Sequence, residues 1–225
     1  MATIEKSSTN NKSQKKAVAK TARASGAKTA SANAETKKKR AHAVATKTAA
    51  QKAKRSSNKD EKSLSDLFEH ALGDIYYAEK KIYKSLPKMI KAADHPELVD
   101  ALTSHREDTA THIEKLETIF ELLGKRAKAE KCDAIDGILE ESEGLLEDFG
   151  SSVAVDAAII FSCQAVEHYE ITRYGSMSSF AEALGLDEIK THIDDILSQE
   201  KAADKALTEL ATESVNAAAT EYDDE

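Results

Sequence analysis

The sequence contains few cysteines and no long apolar run. Its two cysteines, Cys132 and Cys163, do not have the close spacing of a metal site. No stretch near residue 1 has the character of a signal peptide, and none approaches the roughly 18 apolar residues of a membrane span. We therefore expect a chain without a membrane segment, in a reducing compartment. No repeat with a period of roughly 20–50 residues is present, which argues against a solenoid.

Large apolar side chains are scarce in the first part of the chain. Residues 1–62 contain no Phe, Tyr or Leu and one Ile, and they carry 17 Lys and Arg against 4 Asp and Glu. The remaining 163 residues carry 15 Lys and Arg against 36 Asp and Glu. So little apolar surface cannot offset the chain entropy lost on folding. We predict a disordered basic tail over 1–62, a folded domain over 63–215 and an acidic, disordered C-terminus over 216–225.

The composition of the tail predicts contact with nucleic acid. Its densest basic cluster is Lys37, Lys38, Lys39 and Arg40, and it has no aromatic residue on which a base could stack. Such a segment binds phosphates without reading the base sequence. Two alternatives are a solubilising extension and an organelle transit peptide, although transit peptides favour Arg over the Lys that dominates here.

Beyond the tail, apolar residues recur at intervals of three and four positions, which is typical of amphipathic helices. We predict four long helices over residues 63–93, 94–123, 153–184 and 187–214, with a shorter helix over 134–149. The first two and the last two long helices are joined by short connections, whereas a long crossover links the pairs. This connectivity predicts an all-α, ferritin-like four-helix bundle.

Each long helix has polar residues near the middle of its apolar seam. Glu79, Glu167 and Glu200 each occupy a seam position, and the fourth seam contains His105 and His112. A buried, unpaired carboxylate costs several kcal/mol, so a bundle with one in each seam needs compensating cations. Antiparallel helices of similar length bring their midpoints to one level. We therefore predict a site for two metal ions at the centre of the bundle.

The predicted ligands are the seam residues and acids close to them on the same face. Carboxylates with one or two imidazoles suit Fe or Mn better than Zn. His105 is a further candidate that approaches from the other side of Asp108. The alternative is that the acids pair with lysines or lie at a solvated seam edge. The predicted metal ligands are Glu79, Asp108, His112, Glu167, Glu170, Glu200 and Asp204.

Two strings of residues carry a resemblance to a known family. Val166-Glu167-His168-Tyr169-Glu170-Ile171 and Glu200-Lys201-Ala202-Ala203-Asp204 resemble the YciE/YciF family of bacterial ferritin-like stress proteins. The resemblance covers residues 63–215 and implies a rubrerythrin-like di-metal bundle and a homodimer. We expect a cytoplasmic location, and association with the nucleoid if the tail binds DNA. The chain departs from the usual ferritin-like pattern because its second and fourth helices lack Glu-x-x-His. Glu167-x-x-Glu170 is similar to the paired glutamates of rubrerythrins.

Two functions follow as hypotheses. The first is a stress-response protein that binds two Fe or Mn ions and consumes peroxide or oxygen. The second is a non-enzymatic, nucleoid-associated protein that binds DNA through its basic tail and has a structural helical bundle.

Overall fold

The computed structural model describes residues 61–221. The predicted tail, including the cluster Lys37–Arg40, lies outside these residues except for its last two positions. Within the described range the chain forms five helices of 17 residues or more. They are α1 (Leu64–Ala92), α2 (Pro96–Leu122), α3 (Asp133–Phe149), α4 (Val155–Leu184) and α5 (Asp187–Leu210).

The ends of the helices follow from local chemistry. Ser63 caps α1 because its hydroxyl accepts a hydrogen bond from the Asp66 amide at 3.2 Å, and the Asp66 carboxylate accepts one from the Ser63 amide at 2.6 Å. Pro96 stands at the first position of α2, where its missing N–H is not needed. Gly185 ends α4 with φ of 72°, a left-handed conformation that favours glycine.

Contacts between the helices establish the topology. The amides of Asp94 and His95, between α1 and α2, donate to the Asp156 carboxylate at the start of α4. The crossover begins at the opposite end of the bundle, where the Glu130 amide donates to the Gly73 carbonyl. α3 therefore runs along the bundle from one end to the other. This long crossover confirms the predicted ferritin-like arrangement.

The long helices α1, α2, α4 and α5 form the bundle, in which α1 and α5 each pack against both α2 and α4. The crossover helix α3 packs against α4 and α1. The seam residues between them are almost completely buried, as in Leu72, Leu116, Ile159 and Ile196. Their spacing every three or four residues explains why the helices were predictable from sequence.

The helical structure extends beyond the predicted domain boundary at residue 215. After α5 comes a π-helical turn (Ala211–Val215) and then a last α-helical turn (Asn216–Ala218). Val215 is buried, and the alanines that follow favour helix, so residues 216–218 are not disordered. Among residues 61–221, no helix has both the length and the apolar character needed to cross a membrane.

Candidate metal centre

Six acidic and imidazole side chains from the four long helices lie at the middle of the bundle, and none is more than 8% exposed. We call these residues the central cluster. They form two groups, within each of which the potential ligand atoms lie within 4.8 Å of one another. One group is His105, Glu167, Glu170 and Glu200, and the other is Glu79, His112 and Glu200.

The neighbouring apolar residues bring these polar groups into the interior. Glu79 lies between Ile75 and Ile82 on α1, which are 0% and 2% exposed. Residues three or four positions apart share one face of a helix, so burial of the two isoleucines also buries the glutamate between them. Ile196 has the same relation to Glu200 on α5.

His112 faces two carboxylates with one ring nitrogen. Its Nδ1 lies 3.0 Å from Glu200 Oε1 and 3.5 Å from Glu79 Oε1, but neither contact has hydrogen-bond geometry. The other nitrogen, Nε2, lies 2.8 Å from Gln199 Oε1, and Lys115 Nζ donates to the same oxygen at 3.4 Å. An oxygen that accepts from Lys115 is a suitable acceptor for Nε2–H. In the neutral ring this leaves the Nδ1 lone pair directed at the cluster, as in histidines that bind metals.

His105 and Tyr174 each contact one glutamate of the cluster. His105 Nε2 lies 3.2 Å from Glu167 Oε1. The hydroxyl of Tyr174, which is completely buried, donates a hydrogen bond to Glu79 Oε1. Tyr174 therefore holds Oε1 of Glu79 in place. The other oxygen of Glu79, Oε2, has no hydrogen-bond partner.

The cluster contains an unusual concentration of buried atoms without hydrogen bonds. Within residues 61–221, nine buried side-chain nitrogen and oxygen atoms lack a hydrogen-bond partner, and seven of them belong to the cluster. Burying such a group costs about 1–3 kcal/mol in proteins, so native structures contain few of them. The seven atoms are Glu79 Oε2, Glu167 Oε2, both carboxyl oxygens of Glu170, both carboxyl oxygens of Glu200, and His112 Nδ1.

Burial and mutual repulsion determine the protonation of the metal-free cluster. Burial raises the pKa of Glu167 and Glu170 well above the ordinary value, and the Glu200 charge raises both further. Burial likewise raises the pKa of Glu79, and His112 offsets part of that rise. At Glu200 the effect of burial is outweighed by His112, so the pKa is lowered. Burial opposes the charged form of His112, yet Glu200 and Glu79 raise its pKa to about 10. Metal binding would displace the protons that the cluster residues carry.

The structure brings together five of the seven predicted ligands: Glu79, His112, Glu167, Glu170 and Glu200. The other two lie outside the cluster. Asp204 follows the seam position Ala203, and its half-buried side chain accepts a hydrogen bond from Gln164 Nε2 at 3.1 Å. Asp108 precedes the seam position Thr109 and lines a cavity beside the cluster. Each is displaced from the cluster because one helical position turns a side chain by about 100°.

His105 takes a place in the cluster that the predicted ligand set did not give it. The signal was present in the sequence, because His105 and His112 both lie on the seam of α2 and are two turns apart. A histidine in a seam can also be an ordinary core residue, and only its approach to Glu167 on α4 places it among the potential ligands.

The donor set fits a pair of divalent cations. Di-iron and di-manganese sites in bundles use four carboxylates and two histidines, commonly as two single Glu residues and two Glu-x-x-His motifs. The central cluster has the same number of each, but both histidines come from α2 and two glutamates come from α4. Four carboxylates also balance two divalent charges. The buried groups could therefore hold metal, with Glu200 shared between the two positions.

Comparisons with known proteins agree with this architecture. The family model DUF892, described as a domain of unknown function, matches residues 63–220. Protein YciF of Escherichia coli K12 is 36% identical over 156 residues, which are 69% of this chain and 94% of YciF. The crystal structure of that protein, described as a stress protein, matches with a TM-score of 0.66 and covers 69% of this chain and 99% of YciF.

Two further solved structures are similar. YcfI from Rhodopseudomonas palustris, described as a structural protein, is 43% identical with a TM-score of 0.65, covering 67% of this chain and 96% of its own. A protein from Xanthomonas campestris pv. campestris is 24% identical with a TM-score of 0.54, covers 69% of this chain and 94% of its own, and shares the fold. The predicted resemblance to YciE/YciF proteins is confirmed, and the chain belongs to the DUF892 family, with the E. coli stress protein YciF as a relative.

Proposed function

We propose that this protein binds two Fe or Mn ions in the central cluster and consumes peroxide or oxygen as part of a stress response. The stress role is supported by the relationship to YciF. The metal site is supported by one observation above all, the convergence of seven buried atoms without hydrogen bonds from four helices. Metal ions would bind the lone pairs that these atoms leave unused.

The alternative pairing of the acids with lysines finds no support. Across the described residues, Glu79, Glu167 and Glu200 form ion pairs with His105 or His112, and no ion pair joins a cluster glutamate to a lysine. If the four carboxyl groups lose their protons on metal binding, two divalent ions can balance their charge, whereas the two imidazoles cannot. Carboxylate and imidazole ligands are those that Fe and Mn accept most readily.

The chemistry of the proposed site depends on both the ions and the protein. If the cluster residues hold two Fe or Mn ions, oxidation of both from +2 to +3 would supply the two electrons that reduce a peroxide to the level of water. The protein excludes bulk water from five of the six cluster side chains, which are at most 1% exposed. Tyr174 positions Glu79, and Gln199 orients His112.

A metal titration followed by peroxide tests this function. Protein purified without chelator and titrated anaerobically with Fe(II) is expected to bind about two ions per chain. Subsequent hydrogen peroxide is expected to produce ferric absorption in the near ultraviolet at about one peroxide per two ions. Less than about 0.2 Fe plus Mn per chain, with no binding during the titration, would exclude the proposal.

We also propose that the basic tail binds DNA without sequence preference, because residues 1–62 carry 17 Lys and Arg, including Lys37–Arg40, against 4 Asp and Glu. With about six phosphate contacts, affinity should fall on the order of a thousandfold between about 50 and 200 mM salt. Deleting residues 1–62 should abolish binding and leave Ser63 in place to cap α1. The measurement is fluorescence anisotropy with two unrelated duplexes. DNA binding by the truncated protein, or none by the full chain at low salt, would contradict the proposal.

We also propose that the protein forms a homodimer and that it is located in the cytoplasm or on the nucleoid. The acidic domain and the basic tail carry opposite charge, so a location on DNA requires the tail to make the contact.

A further inference from the structure

A cavity of about 300 Å³ lies between α2 and α5 and reaches the central cluster. Its lining includes the exposed residues Ser104, Ala202 and Ala206 as well as the buried residues His105 and Glu167. The cavity therefore runs from the surface of the bundle to one end of the cluster. His105, which this cavity reaches, is 8% exposed, whereas the other five cluster residues are at most 1% exposed.

The size and lining of the cavity point to an organic molecule. One water occupies about 30 Å³ in the liquid, so the cavity has room for about ten. Hydrogen peroxide or oxygen needs only a small part of that space. Pockets for small organic ligands begin at about 300 Å³ and have mainly apolar walls with a few polar groups. Here the apolar wall includes four alanines: Ala101, Ala202, Ala203 and Ala206.

The polar groups of the cavity restrict the charge of its ligand. Asp108 lies in the wall and Glu167 at the inner end, and the lining contains no lysine or arginine. Anionic molecules are therefore disfavoured by repulsion between like charges. His105 and Gln199 provide hydrogen-bonding groups near the cluster. A neutral molecule with an apolar body and a polar end matches this distribution.

We propose that the cavity binds organic hydroperoxides, with the apolar body against the alanines and the O–OH group towards His105 and Glu167. This inference rests on the proposed function and assigns its substrate class. Reduction breaks the O–O bond: ROOH, two electrons and two protons give ROH and water. The two electrons would come from the two metal ions of the proposed site, and the two protons would come from solvent through the open cavity. Small size and neutrality let hydrogen peroxide use the same route.

Binding can be tested without metal or turnover. Metal-free protein with 13C-labelled alanine methyl groups is titrated with 2-phenyl-2-propanol, the alcohol formed from cumene hydroperoxide. Saturable shifts in the millimolar range are expected for the methyl signals of Ala101, Ala202, Ala203 and Ala206. Ala206→Phe should abolish them by placing a ring over the mouth. Ala217→Phe, the same change at an exposed alanine outside the cavity, should not. Absence of saturable shifts at these four methyl groups would overturn the inference.

A second measurement uses iron-loaded protein in single turnover. Ala206→Phe should slow the reaction with cumene hydroperoxide by about tenfold or more and change that with hydrogen peroxide by less than about twofold. Ala202→Phe should do the same, whereas Ala217→Phe should change neither rate. Equal effects on both peroxides would overturn the assignment of the cavity. If iron does not bind, the proposed function fails, while the methyl shifts still decide whether the cavity binds the organic molecule.

Discussion

Replacing Glu200 with Gln is expected to remove both metal ions, lowering the content from about two per chain to less than about 0.2. Glu200 belongs to both groups of potential ligands, and its two oxygens lack hydrogen-bond partners. An amide keeps the size of the side chain but loses the charge that a shared carboxylate contributes. Burial of the side chain leaves no room for water to replace it. The measurement is elemental analysis after anaerobic loading and desalting.

Two matched variants make this result specific. Asp204→Asn changes an acid one helical turn away, which accepts a hydrogen bond from Gln164 and lies outside both groups, and should keep both ions. Glu79→Gln affects one group only and should leave about one ion per chain. Two ions in the Glu200→Gln protein would contradict a shared role for Glu200. Loss of both ions in Asp204→Asn would make Asp204 a ligand, as predicted from the sequence.

Replacing Glu170 with Leu is expected to stabilise the metal-free protein by about 1–3 kcal/mol. Glu170 is 1% exposed, and neither of its carboxyl oxygens has a hydrogen-bond partner. Burial raises its pKa and so favours the neutral carboxyl group in the metal-free protein, where a polar group occupies a buried position. A leucine of similar size removes that cost. For a domain of this size, the melting temperature should rise by about 2–12 °C.

The same substitution should reduce the stabilisation that metal provides. Metal at about one hundred times its Kd adds about 2.7 kcal/mol to the native protein, and Glu170→Leu should lose part of this gain. The measurement is thermal unfolding with Mn(II) and with chelator. Glu170→Gln serves as a control, since it keeps an unpartnered polar group and should not stabilise. A less stable Glu170→Leu protein in chelator would contradict the assigned burial cost. A native protein unaffected by metal would instead favour a purely structural bundle.

The sequence alone determined the helices and most of the cluster. Seams with a spacing of three and four residues are a local property, because the residues of one helical face are close in sequence. Glu79, His112, Glu167 and Glu200 occupy seam positions and are buried together with the apolar seam residues around them. The long segment between the second and third long helices also fixed the crossover, since a short loop could not return the chain along the bundle.

The burial of residues next to a seam could not be predicted from the sequence in this way. Glu170 lies next to the seam residue Ile171, and Asp204 lies next to the seam residue Ala203. The sequence therefore gives no reason to expect different burial for the two acids. Only Glu170 is buried, at 1% exposed, whereas the side chain of Asp204 is 23% exposed. The difference arises because α4 packs against α1, α3 and α5, whereas α5 packs against α2 and α4. The helix covered on more sides buries a wider face.

The tertiary structure also decided which histidine atoms meet which acids. The sequence places His105 and His112 on one seam but gives no distance between α2 and its neighbours. Only the packed bundle brings His105 within 3.2 Å of Glu167 and turns Nδ1 of His112 towards Glu200 at 3.0 Å. Helical periodicity fixed which face of each helix is buried, because that depends on neighbours in sequence. The composition of the cluster depends on contacts between residues far apart in the chain, which the packing of the helices alone determines.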